Sequence, residues 1–470
     1  MKRDYFFSDS QIDQIRDGAV NILNEIGVRV GRSDVIESLI KLGFRTDGKF
    51  VKIDTADSRK KLEPPEPAQP EPDPADAEHV KIKRTLMTRT SVYASTYENI
   101  NGGFEPVTTQ NNLLMGEFAQ KVSKLWPNFQ PACPGKPTEI PAEIQFLRQA
   151  ANSFLRCENF SSFELTSVKT ADYHFAICDV MGRTVKGLPV YVASPLHIGG
   201  ESFDIALYCH KRIDDVYFTS MPSLGANTPL NLVAAYAQTL AENLGGAIIF
   251  EALTGVRTHF STNVFTFDFR DLSMPFGTPE KLLLEWISDE VNARIHGYEY
   301  HGPGGADIHT NAVRCGIQAC IEKTSVATAG ALLGASFFPC VGTLAMDDTF
   351  SPVQLLLDLE MLQHVQKIAD GIPNDIYGGD LVEEVRMGLN GGYIMSDRTL
   401  DNMHRYVWQP KFFSRKTFGA FRDKPFKPEI EKAKDLAVDL MRQPAVWKLD
   451  DDKATEIEKI YAAALKSLTK

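Results

Sequence analysis

From residue 129 onward the sequence settles into an alternation of short apolar runs and helical patterns, and that alternation restricts the fold more than any other feature. Eight runs read as strands: 129–133, 162–166, 190–194, 216–220, 247–252, 264–269, 298–301 and 338–344. Helical periodicity separates most of them, at 201–212, 229–244, 279–296, 311–335 and 352–370. Eight βα units over about 240 residues match the size of a closed parallel barrel. The expected fold class is therefore α/β, a (β/α)8 TIM barrel over residues 129–372. An N-terminal helical cap (1–128) and a C-terminal helical extension (373–470) complete the expected domains. A doubly wound sheet is the alternative, but no GxGxxG fingerprint or P-loop supports it.

The flanks read differently. Ser8 and Gln11 make a capping box ahead of Ile12, Ile15, Ala19, Ile22 and Ile26, which follow helical spacing up to Gly27. Residues 59–79 carry six prolines between positions 64 and 74, interleaved with acids, and should form an extended exposed loop. The C-terminal hundred residues would cover one end of the barrel or build an interface, and a homo-oligomer is expected.

Composition removes several function classes. The 470 residues carry 61 acids against 50 bases, a formal net charge of -11, with no dense Lys/Arg run, which argues against nucleic acid or an anionic membrane as partner. No apolar run reaches the roughly 18 residues of a membrane span, and no apolar segment of signal-peptide type follows the basic start. The seven cysteines are scattered without CxxC spacing. This pattern fits reduced thiols in a cytoplasm and neither a disulfide scaffold nor a structural zinc site.

Barrel enzymes place their chemistry at the C-terminal ends of strands, and several ends here are polar. The 298–322 stretch reads as strand, glycine turn, polar cluster and helix: Tyr298 and Tyr300, then His301, then Asp307 and His309, with Asn311 as helix N-cap. Glu251 would end a buried strand, where an acid must be paired, protonated or functional. Asp268 and Arg270 would end the sixth strand, paired with each other or with Arg270 free for a substrate carboxylate. Asp347 and Asp348 would follow the eighth. Asn227 and Thr228, after the fourth, would cap the next helix or meet a ligand. Tyr298, Tyr300, Phe350 and Trp408 add aromatic faces, which together with acids suit a cation.

An ordered series of segments resembles the trimethylamine:corrinoid methyltransferase (MttB-like) family. The segments are Ile22-Leu-Asn-Glu-Ile-Gly-Val28, Gly225-Ala-Asn-Thr-Pro-Leu230, Ala241-Glu242 with Leu244-Gly245, and Phe267-Asp268-Phe269-Arg270 before Gly277-Thr-Pro-Glu280. Asn311-Ala312, Gln318-Ala319, Glu322, Asp358-Leu-Glu360, Arg398-Thr399 and Trp408-Gln-Pro410 continue it. The resemblance implies a barrel that moves a methyl group from a methylated amine to Co(I) of a corrinoid (cobalamin) on a separate partner protein, with no tightly bound metal of its own. Asn311 and Gly316 stand where the family tends to carry acids, and no pyrrolysine is present, which points to the branch acting on quaternary amines such as glycine betaine. On that reading Tyr298, Tyr300 and Phe350 cage the cation and Arg270 anchors a carboxylate. Glu251, Asp268 and His301 tune the charge, and Asp307, His309 and Asn311 face the cobalt. Two other classes remain open: a metal-dependent barrel hydrolase or lyase using His301, Asp307 and His309, and a non-catalytic binder of methylated amines.

Overall fold

The computed structural model describes residues 5–63, 85–160, 164–298, 300, 302–373, 380–389 and 391–468. Its centre is a three-stranded parallel sheet of β1 (Gly187–Val192), β2 (Asp215–Ser220) and β3 (Arg257–Phe260), in the order β3-β2-β1. Side chains alternate across it, as the period of two requires. Leu188, Val190, Val192, Val216, Phe218 and Phe260 are buried against helices, whereas Tyr191 and Tyr217 point the other way and stay 46% and 42% exposed.

A second parallel run lies elsewhere in the chain. Thr88–Arg89 pairs with Phe129–Gln130, Met87 bridges Phe337, Thr90 bridges Val341, and Phe337 in turn bridges Gly305. This pairing joins residues 88–90, expected in the cap, to residue 129, expected in the barrel. The result is a mixed α/β fold with small sheets, and among the described residues no sheet closes on itself. The closed barrel expected from the alternation is thus met only in its parallel pieces.

Among the helices that contribute to the core around these sheets are α1 (Asp9–Glu25), α2 (Leu232–Thr254), α3 (Pro279–Ile295), α4 (Ile317–Leu333) and α5 (Pro352–Asp370). The capping box of Ser8 and Gln11 starts α1 as the sequence indicates. Helix α2 corrects the strand expected at 247–252. It runs unbroken for 23 residues, buries residues on every side from Ala235 to Phe250, and ends at Gly255 with φ 73°. A helix sunk in the core is apolar all round, so it loses the amphipathic period by which a helix is recognised. Its N-cap is Asn231, whose side chain accepts from the Ala234 N–H, so Asn227 and Thr228 do not cap it.

Other strand boundaries also move. Residues 264–269 form an irregular turn held by the pairing of Asp268 with Ser273, and the strand of that unit is β3, several residues earlier. Residues 298 and 300 lie in no strand, and 299 and 301 fall outside the described residues, as do 161–163 of the second expected strand. The seventh extended segment runs instead through 305–310. There the Ala306 and Ile308 N–H groups donate to the carbonyls of Phe337 and Pro339. Most of the proline-rich loop falls outside the described residues, but 59–61 close the helix Thr55–Lys61.

The core divides into three large apolar clusters and a small fourth of Ala312, Ala319 and Leu344. One packs α1, α2 and β1–β3; a second packs residues 86–129 with 306–365; a third joins 144–178 to the last helix. All seven cysteines are free thiols. No helix among the described residues is long and apolar enough to cross a membrane.

Candidate functional site

The polar stripe of α3 is the feature on which the site is built. Lys281, Glu285, Asp289 and Asn292 recur at helical spacing opposite Leu284, Ile287, Val291 and Ile295. Such a stripe ordinarily faces water. Here it faces protein on both sides. Asn292 exchanges hydrogen bonds with Thr262 just after β3 (Oδ1 from the Thr262 N–H at 2.7 Å, Nδ2 to its carbonyl at 3.0 Å). Lys281 Nζ donates to the Asp307 carbonyl at 3.4 Å and to Glu285 Oε2 at 2.8 Å. Helix α3 therefore spans the space between the central sheet and the 305–310 segment, with its acids turned inward.

The 305–310 segment supplies the next groups. Ala306, Ile308 and Thr310 are buried on its outer side, which leaves Asp307 and His309 alternating inward. His309 is 5% exposed, its Nε2 lies 3.1 Å from Asp347 Oδ2, and its ring packs 5.1 Å from that of Phe276. Beyond Asp347 the charges couple to Tyr93, and Tyr93 to Glu164 and Tyr191. Tyr93, Glu164 and Tyr191 line a cavity of about 830 Å³ that also borders Arg183 and Lys186. The Asp289 charge also acts on the Tyr217 hydroxyl of β2.

The electrostatics follow from this crowding. Burial raises the Glu164 carboxyl above its ordinary value, offset in part by Tyr93 and the nearby Arg89. Burial, with Glu285 alongside, pushes Asp289 up to about 7. Burial raises Glu285 too, against the pull of Lys281. Burial also acts to raise Asp347, but the hydrogen bond and charge of His309 bring it below the usual carboxylate range. The hydroxyls of Tyr93, Tyr191 and Tyr217 are all raised, chiefly by burial. The three residues nonetheless keep between 36% and 46% of their surface exposed. The cavity itself is charge-balanced, Glu164 and Glu201 against Arg183 and Lys186, so its case for a positively charged ligand rests on the Tyr93 and Tyr191 rings beside Glu164.

The sequence-predicted residues fall into distinct places. Asp307 and His309 are in this cluster. Asn311 adjoins it but does not cap α4, whose N-cap is Gly316. Its Oδ1 accepts the Gly277 N–H at 2.6 Å, and its own N–H donates to Glu322 at 2.8 Å. Glu251 lies on the far side. As a residue of the last turn of α2 it pairs with Lys61 at 2.5 Å and accepts from Thr258 at the beginning of β3, not at its end. Tyr298 follows the C-terminal end of α3, while Gly277 precedes its N-terminal end. A 17-residue helix is about 25 Å long, so Tyr298 is remote from His309. Phe350 is fully buried, its ring 5.9 Å from that of Tyr97, and is part of the core. Asp268 accepts the Arg270 N–H at 2.7 Å, and the Arg270 side chain is 93% exposed, 3.9 Å from Asp268. Tyr300 is half-buried, and His301 lies outside the described residues.

Comparison with known proteins bears on what such a site serves. The model of the trimethylamine methyltransferase (MTTB) family matches residues 3–467. The chain belongs to the MTTB family. Trimethylamine methyltransferase MttB1 of Methanosarcina acetivorans is 25% identical over 280 residues, covering 58% of this chain and 54% of that protein. Trimethylamine methyltransferase MttB of Methanosarcina barkeri is 24% identical over 277 residues, with the same coverage. The match thus spans about half the length of these curated relatives. The crystal structure of the Methanosarcina barkeri monomethylamine methyltransferase MtmB aligns over 99% of this chain and 88% of its own, at 11% identity and a TM-score of 0.45.

Within this MTTB-family chain, sequence reasoning missed Tyr93, Glu164, Tyr191, Tyr217, Glu285 and Asp289. Three of these carried a usable signal. Tyr191 and Tyr217 alternate with buried aliphatic residues in their strands, so they must face the side away from the helices. Asp289 follows Glu285 by one helical turn, and two such acids on one stripe carry mutual repulsion unless a cation lies between them.

Proposed function

We propose that this chain catalyses methyl transfer from a quaternary amine to the cobalt of a corrinoid held by a partner protein. The carrying observation is the cavity in which the Tyr93 and Tyr191 rings stand beside Glu164, in a member of the MTTB family. The corrinoid supplies the nucleophile, and the residues of this chain bind the cation, orient one methyl group and exclude water. Tyrosine faces suit a methylated ammonium, each contributing on the order of 0.5–2 kcal/mol as desolvation increases. A quaternary nitrogen leaves as a neutral amine, so no proton donor is required at that atom.

The two parallel runs, 187–260 and 88–130 with 305–341, are proposed as the walls of one (β/α)8 barrel around this cavity. Free thiols and a reaction with Co(I) both fit a reducing cytoplasm. For a carboxylated substrate such as glycine betaine, Arg89 is the better anchor. It acts on Glu164 and stacks over Phe337 at 5.4 Å, whereas Arg270 extends into solvent.

The test is an anaerobic assay with Co(I) corrinoid proteins, following methyl-cobalt formation by visible absorbance across glycine betaine, carnitine, choline and trimethylamine. Turnover with a quaternary amine supports the reading. Turnover with trimethylamine alone, or with none of them across several corrinoid partners, overturns it. Arg89→Ala is expected to raise KM for glycine betaine at least about tenfold, a loss of some 1.4 kcal/mol, and to leave choline unaffected. Arg270→Ala serves as comparator, and a betaine-specific rise there instead would return the anchor to Arg270.

A further inference from the structure

We propose that His309, Cys340 and Asp347 bind a divalent transition metal, zinc being the ion their donor set suits best. One ligand atom from each lies within 4.8 Å of the other two. Donors around a tetrahedral zinc stand roughly 3.3–3.7 Å apart, given bond lengths of about 2.0–2.3 Å. His309 Nε2 and Asp347 Oδ2 now stand 3.1 Å apart, a few tenths of an ångström closer than that spacing, so small side-chain shifts would admit the ion between them. One imidazole, one thiolate and one carboxylate form a mixed set typical of borderline-soft ions, unlike the all-oxygen sets of Mg²⁺ or Ca²⁺.

Two further observations point to a ligand. Asp347 Oδ1 is buried without a hydrogen-bond partner, within reach of an ion held beside Oδ2; His309 is 95% buried, and its unpartnered Nδ1 points away from an ion held at Nε2. Buried polar atoms of this kind ordinarily find partners, and an exception requires a cause such as an ion. The backbone is also unusual. Of the five non-glycine residues with positive φ among those described, Cys340 (75°), Ala345 (47°) and Met346 (63°) lie in the turn that carries two of the three donors. Strain of this kind persists only where surrounding structure enforces it. Here Lys323 Nζ and the Thr343 hydroxyl donate to the Cys340 carbonyl at 3.2 and 2.7 Å, and Asp358 accepts the Gly342 N–H at 2.8 Å. The turn is thus fixed from behind while its donors converge in front.

Three protein donors leave a position for water or a substrate atom, as catalytic zinc sites do. Asp347 keeps 35% of its side chain exposed, so that position is open to solvent. The sequence groups His309 with His301 and Asp307, but the chain brings it to Cys340 and Asp347. The proposal does not depend on methyl transfer, because metal binding is read without turnover.

The experiment titrates the purified chain, stripped of metal with a chelator, with Co²⁺ and then displaces it with Zn²⁺. One equivalent of Co²⁺ is expected to give a thiolate-to-cobalt charge-transfer band together with tetrahedral visible bands. Cys340→Ser should abolish the charge-transfer band, and Cys320→Ser, at an exposed thiol on α4, should leave it intact. His309→Gln and Asp347→Asn should each weaken Zn²⁺ binding by more than the roughly ten- to hundredfold that loss of an outer-shell partner costs. Thermal unfolding of each variant confirms that it folds, and Zn²⁺ should raise the Tm of the parent but not of His309→Gln. Absence of a stoichiometric band in the parent overturns the proposal, as does a band that survives Cys340→Ser or disappears with Cys320→Ser.

Discussion

At the scale of single residues, Asp289 is the group whose setting departs most from what its type suggests. It sits one turn from Glu285, and burial together with that neighbour pushes its carboxyl up to about 7. The sign of the consequence is fixed by linkage. Between the unfolded value, near 4, and about 7, the unfolded chain releases this proton while the folded one keeps it, so stability falls as pH rises through that window and levels off above it. The slope from this one group is at most about 1.4 kcal/mol per pH unit. Asp289→Asn should flatten urea-unfolding stability between about pH 4 and 7 relative to the parent. An identical slope in both proteins would show that Asp289 ionises freely. At this scale the sequence was legible where one residue type admits one use. Ser8 with Gln11 capped a helix, and Asp307 with His309 faced inward. It was illegible where the partner is remote in sequence: the spacing of Asp289 from Glu285 marks the pair but not what it faces, and nothing local tells Cys340 that His309 is its neighbour.

Elements behaved by the same logic. The 279–296, 201–212 and 352–370 patterns became helices with boundaries shifted by a residue or little more. The 247–252 run failed because Ile248, Ile249 and Phe250 carry strand propensity inside a helix buried on all sides, where tertiary packing outweighs it. Helices α4 and α5 show how the elements fix the site. Lys323 and Asp358 meet at 2.7 Å with side-chain exposures of 0% and 2%, and Gln354 and the Gly342 N–H satisfy the remaining carboxylate valences. A buried pair so completely bonded is costly to halve, because the surviving charge is stranded. Asp358→Ala should therefore destabilise the chain by about 3–5 kcal/mol in denaturant unfolding, whereas replacing both partners, as Lys323→Met with Asp358→Leu, should restore most of it. A single variant within about 1 kcal/mol of the parent would mean that water reaches the pair. The double variant would still lack the bond from Asp358 to Gly342, so it separates the pair's contribution to stability from its hold on the Cys340 turn.

The whole molecule converges its charges on one interior wall, and this was the least legible level. The alternation showed that parallel βα units were present, but not that residues 88–90 pair with 129, nor that α3 would stand between β3 and the 305–310 segment with its acids inward. Those are consequences of closure between distant segments, which no local window contains. They make a prediction that no single residue carries. A quaternary ammonium held between the cavity and α3 would favour the ionised form of the carboxyls it faces, and Glu164 of the cavity and Glu285 and Asp289 of α3 are all raised before it binds. Binding must then expel protons, so affinity should rise with pH by up to about tenfold per unit below pH 7 and become flat above it, where Asp289 is already ionised. Calorimetry in two buffers of different ionisation enthalpy measures both the affinity and the protons released. Asp289→Asn should abolish most of the pH dependence while Arg270→Ala leaves it unchanged, since the Arg270 side chain lies in solvent. Affinity independent of pH from about 5.5 to 8, with no proton release, would place the cation away from this wall and detach the tyrosine–carboxylate lining from substrate binding.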